Sequence, residues 1–183
     1  MSFAKACEHI DNYTAGHETR SHICGEGRLK YPDSHIESDN RLSWFLGRLD
    51  DAYGDNALYV HLVRDPNKVA RSYASRARVK GLIMEAYKNG IYLNAQGSGY
   101  LPFAKDYVHT VNKNIDFFLK SKTKKIVFDL DLDPKGQFKD FWELIGAEGN
   151  IQPALAEFDI THNAQKSNNI YTRIKRKMKT FFN

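Results

Sequence analysis

The stretch Tyr59-Val60-His61-Leu62-Val63-Arg64-Asp65-Pro66-Asn67-Lys68-Val69-Ala70-Arg71-Ser72-Tyr73 decides how the chain is read. Ala57 to Arg64 is a mostly apolar run of the kind that forms a strand buried on both faces. Asp65-Pro66 then supplies a helix cap followed by proline at the first helical position. A strand feeding directly into a helix puts Arg64 at the carboxyl edge of a sheet, where open α/β folds bind ligands. An anion there also meets the positive end of the helix, worth ~0.3–1 kcal/mol in exposed settings. On that helix Val69, Ala70, Tyr73, Ala74 and Ala77 form an apolar stripe, and Lys68, Ser72, Ser75 and Arg76 fall on the opposing face. A guanidinium, a hydroxyl and further cations at one place suit a phosphate monoester. The alternative is a solvated basic helix face, with Arg64 paired to a nearby acid.

Working outward, the spacing predicts a helix over 3–10, a short strand over 13–18, and a loop over 21–38, which is rich in Gly, Ser, His and Asp. Asp39 caps a helix carrying Leu42, Phe45, Leu46, Leu49 and Tyr53 and stopped at Gly54. The helix begun at Asp65-Pro66 extends to about Asn89, and a loop follows over 91–102. A third helix runs over 103–121, with Tyr107, Val108, Val111, Ile115 and Phe118 on one stripe. Lys125 to Asp131 is a strand; Phe138 to Ile145 and Pro153 to Phe158 are helical. Strands separated by helical stretches of this length imply a parallel α/β sheet.

Composition sets the class. With 183 residues, 42% of them hydrophobic and 27% charged, the chain suits one ordinary domain with a real core. Its longest apolar run is Ala57 to Val60, far short of the ~20 residues a membrane-spanning helix needs. The first nine residues lack the apolar core of a secretory signal. Two cysteines, Cys7 and Cys24, make no disulfide framework and favour a reducing compartment, so a cytoplasmic location is expected and the Asn12-Tyr13-Thr14 sequon is incidental.

The net charge of +5 belongs to the tail. Six of the 27 Lys and Arg lie in residues 166–183, which hold no acid, and the other 21 stand against 22 Asp and Glu. Tyr171, Ile174, Met178 and Phe181 or Phe182 give those cations an apolar stripe, so residues 165–183 read as a basic amphipathic tail suited to an anionic surface. A noncatalytic anion-binding or nucleic-acid-binding module acting through this tail is the rival reading.

Metal motifs fail. Asp129, Asp131 and Asp133 imitate the start of a calcium loop, but Pro134 stands where glycine is required and Asp140 where glutamate is. Cys7, His9, His17, His22 and Cys24 lack the paired spacings of a zinc site, so no metal is expected. No G-x-x-x-x-G-K-[ST] run occurs.

A second candidate site lies in Ala15-Gly16-His17-Glu18-Thr19-Arg20. Strand alternation puts Glu18 and Arg20 on one face and His17 on the other. Glu18 could then take a proton from a hydroxyl while Arg20 offsets charge growing on a transferred anionic group. The alternative is a surface Glu–Arg pair worth ~0–1 kcal/mol.

Together these segments resemble the sulfotransferases that use 3′-phosphoadenosine 5′-phosphosulfate. That family binds the 3′-phosphate with a strand ending in Arg, often followed by Asp-Pro, and a Ser eight residues after the Arg; Arg64 and Ser72 match this spacing. Gly16-His17-Glu18-Thr19-Arg20 is similar to the Gly-Glu-Glu-Thr-Arg of tyrosylprotein sulfotransferases, whose Glu before Thr-Arg is the catalytic base. Bacterial-type members are similar there too, and at Phe141-Trp142-Glu143-Leu144-Ile145-Gly146 and His162-Asn163. The resemblance spans roughly residues 3–164 and implies a three-layer parallel α/β sheet flanked by helices, of P-loop sulfotransferase type. It implies Glu18 as base, Arg20 as electrostatic helper, and Arg64 and Ser72 on the 3′-phosphate, with Lys68 and Arg76 beside them. It implies the nucleotide as co-substrate, and a carbohydrate, lipid or peptide acceptor bearing a hydroxyl or amine. His17 is the substitute base. Counting back from Glu18, Met1 falls on the last residue of the family's loop for the 5′-phosphosulfate, so that loop and the first strand are expected to be missing and activity impaired.

Overall fold

The computed structural model describes residues 1–77, 82–93 and 99–160. The chain is mixed α/β and divides into two compact units. The first comprises residues 1–19, 31–38 and the segment from Trp142 onward; the second comprises 20–30 and 39–141. The tail over 165–183 and His162-Asn163 lie outside the described residues, as do parts of the 91–102 segment.

In the first unit, α1 (Ser2–Cys7) buries Phe3, Ala4, Ala6 and Cys7 against α7 (Ile151–Ala156), whose Ala154 and Leu155 are buried in turn. Burial of Cys7 in this apolar contact pushes its thiol up to about 12, so it packs as a small hydrophobe. Two strands pair in parallel, β1 (Thr14–His17) and β2 (His35–Ser38), in the register Thr14 to His35 and Gly16 to Glu37. The loop expected over 21–38 therefore contains a strand, and also a 3₁₀ turn at Gly25–Leu29. Four residues of mixed polarity, His-Ile-Glu-Ser, carry no alternation that singles out a buried face. Gly16 has a steric role: a Cβ there would lie 2.2 Å from Thr19 Cγ2. That methyl cannot swing away freely, because Thr19 donates both its backbone N–H and its hydroxyl to Glu37.

The second unit contains the decisive stretch. Asp39 caps a 3₁₀ turn at Asn40–Trp44 rather than an α-helix, accepting from Arg41 N at 2.8 Å. Its other oxygen takes the buried Arg28 guanidinium, an ion pair with both side chains almost fully enclosed. The turn leads into α2 (Leu46–Tyr53), stopped at Gly54 with φ 49°. Strand β3 (Tyr59–Val63) pairs in parallel with β4 (Lys125–Asp129), Val63 opposite Asp129. Between them run α3 (Pro66–Arg76), α4 (Ile83–Ala86), a wide turn at Tyr87–Ile91, and α5 (Leu101–Leu119). Helix α3 ends at Arg76 instead of reaching Asn89, and a separate short helix, α4, covers Ile83–Ala86. Ala70, Ala77 and Ala104 are fully buried where α3 meets α5, and Tyr73, Tyr87 and Tyr107 close the contact edge to face. Helix α6 (Pro134–Leu144) starts four residues before the expected Phe138. No helix among the described residues is long and apolar enough to cross a membrane.

His61 lies at the centre of β3 with its side chain 7% exposed, its Nδ1 3.7 Å from Asp116 Oδ1 and its Nε2 without a partner. Burial pushes its pKa down from 6.5, against the opposing pull of Asp116 and Asn112. The unfolded chain takes up this proton as pH drops below about 6.5, whereas the folded chain resists. Stability should therefore fall as pH is lowered from 7 to 5, and His61→Leu should flatten that part of a urea-midpoint profile. Separately, Gly16→Ala should lower stability by ~1–3 kcal/mol through overpacking against Thr19, read as a shift in urea midpoint.

Candidate anion-binding site

The site begins where β3 stops. Asp65 leaves the strand with φ −46° and ψ 116° and caps α3, accepting from Lys68 N at 2.7 Å, while Pro66 takes the first helical position. On the neighbouring strand, Leu130 N donates to Val63 O at 3.0 Å, which carries the chain past the end of β4 beside the start of α3. The next residue, Asp131, turns its carboxylate into that corner. Its Oδ1 takes Arg64 Nε at 3.2 Å and Lys68 Nζ at 3.3 Å, and its Oδ2 takes the backbone N–H of Asp65 at 2.9 Å. The Asp65 N–H first, and then the Lys68 and Arg64 cations, hold the Asp131 carboxyl below its usual range.

Two cations and a backbone donor at a helix N-terminus thus converge on one anionic group. This is the arrangement of the alternative reading, an exposed basic helix face with Arg64 paired to a nearby acid, and the same donors make the corner a candidate anion site. Arg64 and Lys68 are each 55% exposed, so the pairing is a surface one whose net worth is ~0–1 kcal/mol per pair. A dianion arriving from solvent competes against a monoanion held weakly.

Ser72 lies one turn beyond Lys68 on the same exposed side of α3. Its hydroxyl oxygen accepts from Arg76 Nη2 at 3.3 Å, and its carbonyl accepts from Arg76 Nε at 3.2 Å. Arg76 also lies over the Tyr73 ring at 5.7 Å. Arg64 and Lys68 are therefore brought onto one carboxylate, while Ser72 and Arg76 form a second pair further along the helix. The face order follows the sequence spacing, because Val69, Ala70, Tyr73 and Ala74 turn toward α5. A hollow of about 330 Å³ opens beside the first turn of α3, lined by Pro66 and Asn67 and, from α5, by Lys105, His109, Lys113 and Asp116.

Glu18 and Arg20 are arranged differently from the expectation. Strand β1 ends at His17, and Glu18 adopts φ 55°, in the left-handed region, with its N–H on Ser38 O at 3.1 Å. Alternation does not continue through it, so the argument that put Glu18 and Arg20 on one strand face fails. Arg20 Nη1 donates to Gly27 O at 2.9 Å and braces the 3₁₀ turn at Gly25–Leu29.

In the sequence, Asp131 stands out only as a would-be calcium ligand. The signal that points to its role is its position two residues past a parallel strand adjacent to β3. The acids of the Asp129, Asp131, Asp133 series act separately. Asp129 Oδ1 accepts from Asp131 N at 2.9 Å, Asp131 holds the cations, and Asp133 Oδ1 accepts from Gly136 N at 3.0 Å.

No family model, curated protein or solved structure matches this chain.

If Asp131 is the resident anion, Asp131→Asn should keep its shape while removing the competing charge. Inorganic phosphate should then bind about tenfold tighter, a gain of about 1.4 kcal/mol, in a calorimetric titration at low salt. Unchanged or weaker phosphate binding would show that the carboxylate and the phosphate do not compete.

Proposed function

We propose that the corner formed by Arg64, the Asp65 N–H and Lys68 holds the 3′-phosphate of 3′-phosphoadenosine 5′-phosphosulfate, with Ser72 and Arg76 extending the site along α3. The protein would then serve transfer of a sulfonate from that nucleotide to a hydroxyl- or amine-bearing acceptor. The observation that carries this reading is the convergence of the two cations and the backbone donor on one carboxylate at the carboxyl end of a parallel strand pair. The Arg64 and Ser72 spacing and the Gly-His-Glu-Thr-Arg segment support it from the sequence. The basic hollow beside the first turn of α3 offers room for further parts of a nucleotide.

In the transfer, the acceptor oxygen or nitrogen forms a bond to sulfur as the bond from sulfur to the 5′-phosphate oxygen breaks, leaving adenosine 3′,5′-bisphosphate. The resemblance gives the acceptor's proton to Glu18 and the compensation of charge on the moving group to Arg20, roles that rest on the sequence match alone. Under the same reading, a P-loop sulfotransferase fold is the architecture to which the β3–α3 segment belongs. Such a transfer rests on positioning and charge stabilisation.

Adenosine 3′,5′-bisphosphate should bind the protein at low salt at least tenfold tighter than adenosine 5′-monophosphate does, the difference being the 3′-phosphate. Arg64→Ala should remove most of that difference, a loss of about 1.4 kcal/mol or more. Equal binding of the two nucleotides, or bisphosphate binding untouched by Arg64→Ala, would end the proposal.

A further inference from the structure

The β1–β2 pair carries a second constellation, independent of the anion corner. The parallel register sets Thr14 beside His35 and Gly16 beside Glu37, so one face of the pair presents a hydroxyl, an imidazole and a carboxylate. Thr14 Oγ1 lies 2.8 Å from His35 Nδ1, and His35 Nε2 lies 3.1 Å from Glu37 Oε2. Glu37 also takes Thr19 N at 2.8 Å and the Thr19 hydroxyl at 2.5 Å. A carboxylate accepting from two Thr19 donors is held as an acceptor, so the proton between it and His35 resides on Nε2. In the neutral Nε2–H tautomer Nδ1 keeps its lone pair and the Thr14 hydroxyl donates to it, which gives the donation order Thr14 to His35 to Glu37.

Three features make this a relay rather than a chance contact. The His35 and Glu37 side chains are only 10% and 5% exposed, so both are fixed, while Thr14 is open to solvent. Tyr31 stacks on the His35 ring at 5.5 Å and 9° between planes, which holds the imidazole in position. Gly16, with no Cβ, lets Thr19 reach Glu37. An exposed hydroxyl within reach of a base that is itself oriented by a third group is the arrangement that activates a nucleophile. The buried group that anchors this face is the Glu37 carboxyl, and an acid held there disfavours phosphate or sulfate electrophiles and suits an uncharged one.

We propose that Thr14 is a nucleophile toward uncharged activated acyl esters, with His35 as its general base and Glu37 as the positioning residue. The Thr14 oxygen bonds to the acyl carbon as the bond from that carbon to the ester oxygen breaks; the Thr14 proton passes to His35 Nδ1 and on to the leaving alkoxide or phenoxide, which returns His35 to its neutral form. Water then attacks the acyl-threonine, giving its proton to His35 Nδ1, and His35 passes that proton to the departing Thr14 oxygen, so the carboxylic acid is released and the hydroxyl restored. Neither step uses the nucleotide reading above, and the failure of one leaves the other standing.

The experiment treats the full chain with p-nitrophenyl acetate and locates the acetyl group by peptide mass spectrometry alongside the p-nitrophenolate burst. The wild type should carry one acetyl on Thr14. Thr14→Val should lose it, and Thr14→Ser should retain it on residue 14. His35→Gln, with its circular dichroism unchanged, should slow Thr14 acetylation by about 100-fold. Acetyl groups confined to lysines or the N-terminal amine in the wild type would overturn the proposal, as would Thr14 acetylation at an unchanged rate in His35→Gln. If His35→Gln does not fold, the Thr14→Val and Thr14→Ser pair decides, because the acetyl must follow the hydroxyl.

Discussion

Positive charge accumulates where β3 gives way to α3, and it has to be answered. Arg64 and Lys68 stand within one turn of each other, and the free N–H groups of a helix start add to them. Asp131 supplies the answer, and the surrounding residues are arranged so that it can. Gln137 brackets the end of β4, accepting from Asp129 N and donating to Asp129 O, each at 2.8 Å. Asp129 in turn receives the Asp131 N–H, which sets the direction of the next side chain. The β4–α6 turn thus delivers the carboxylate to the corner, and the cations keep their solvent exposure. Structural neutrality and access for a competing anion come from the same geometry.

Packing on the other side of α3 fixes which residues face that corner. Alanines at 70, 77 and 104 let α3 and α5 approach closely, and the tyrosines at 73, 87 and 107 fill the remaining space with edge-to-face contacts. Two hydroxyls, of the buried Tyr87 and the exposed Tyr92, both donate to Asp106 Oδ2 at 2.6 Å, so the polar edge of the cluster is satisfied. With the apolar stripe committed to α5, rotation of α3 about its axis would expose alanine and tyrosine surface. The core therefore turns Lys68, Ser72 and Arg76 outward, and their contacts with Asp131 and with one another are made on that outer face.

This explains what could be read in advance. Strand β3, its switch to helix at Asp65-Pro66, and the long helix α5 each carry a strong local pattern: a mostly apolar run, a cap with proline, a stripe of 3.6 period. The face order of α3 followed from the same stripe. Asp131 was not legible as a partner, because its role depends on β4 lying beside β3, a pairing 66 residues apart that no local pattern encodes. Strand β2 was hidden because His35 and Glu37 turn to hydrogen bonds rather than to an apolar core. The left-handed turn at Glu18 defeated alternation in a single residue, since glutamate gives no sign that it will adopt φ 55°.

The two constellations differ in a way that assigns them different chemistry. At the start of α3 the groups are cations and backbone donors, permanently charged or fixed in dipole, with an acid of the chain serving as their occupant. Such a set binds charge and moves no proton. On the β1–β2 face the order is reversed: the fixed group is the acid, buried and fully engaged, and the group it governs is an imidazole within hydrogen-bond reach of an exposed hydroxyl. Under the two proposals, the first set would select a ligand by its negative charge and the second by where a bond can be made.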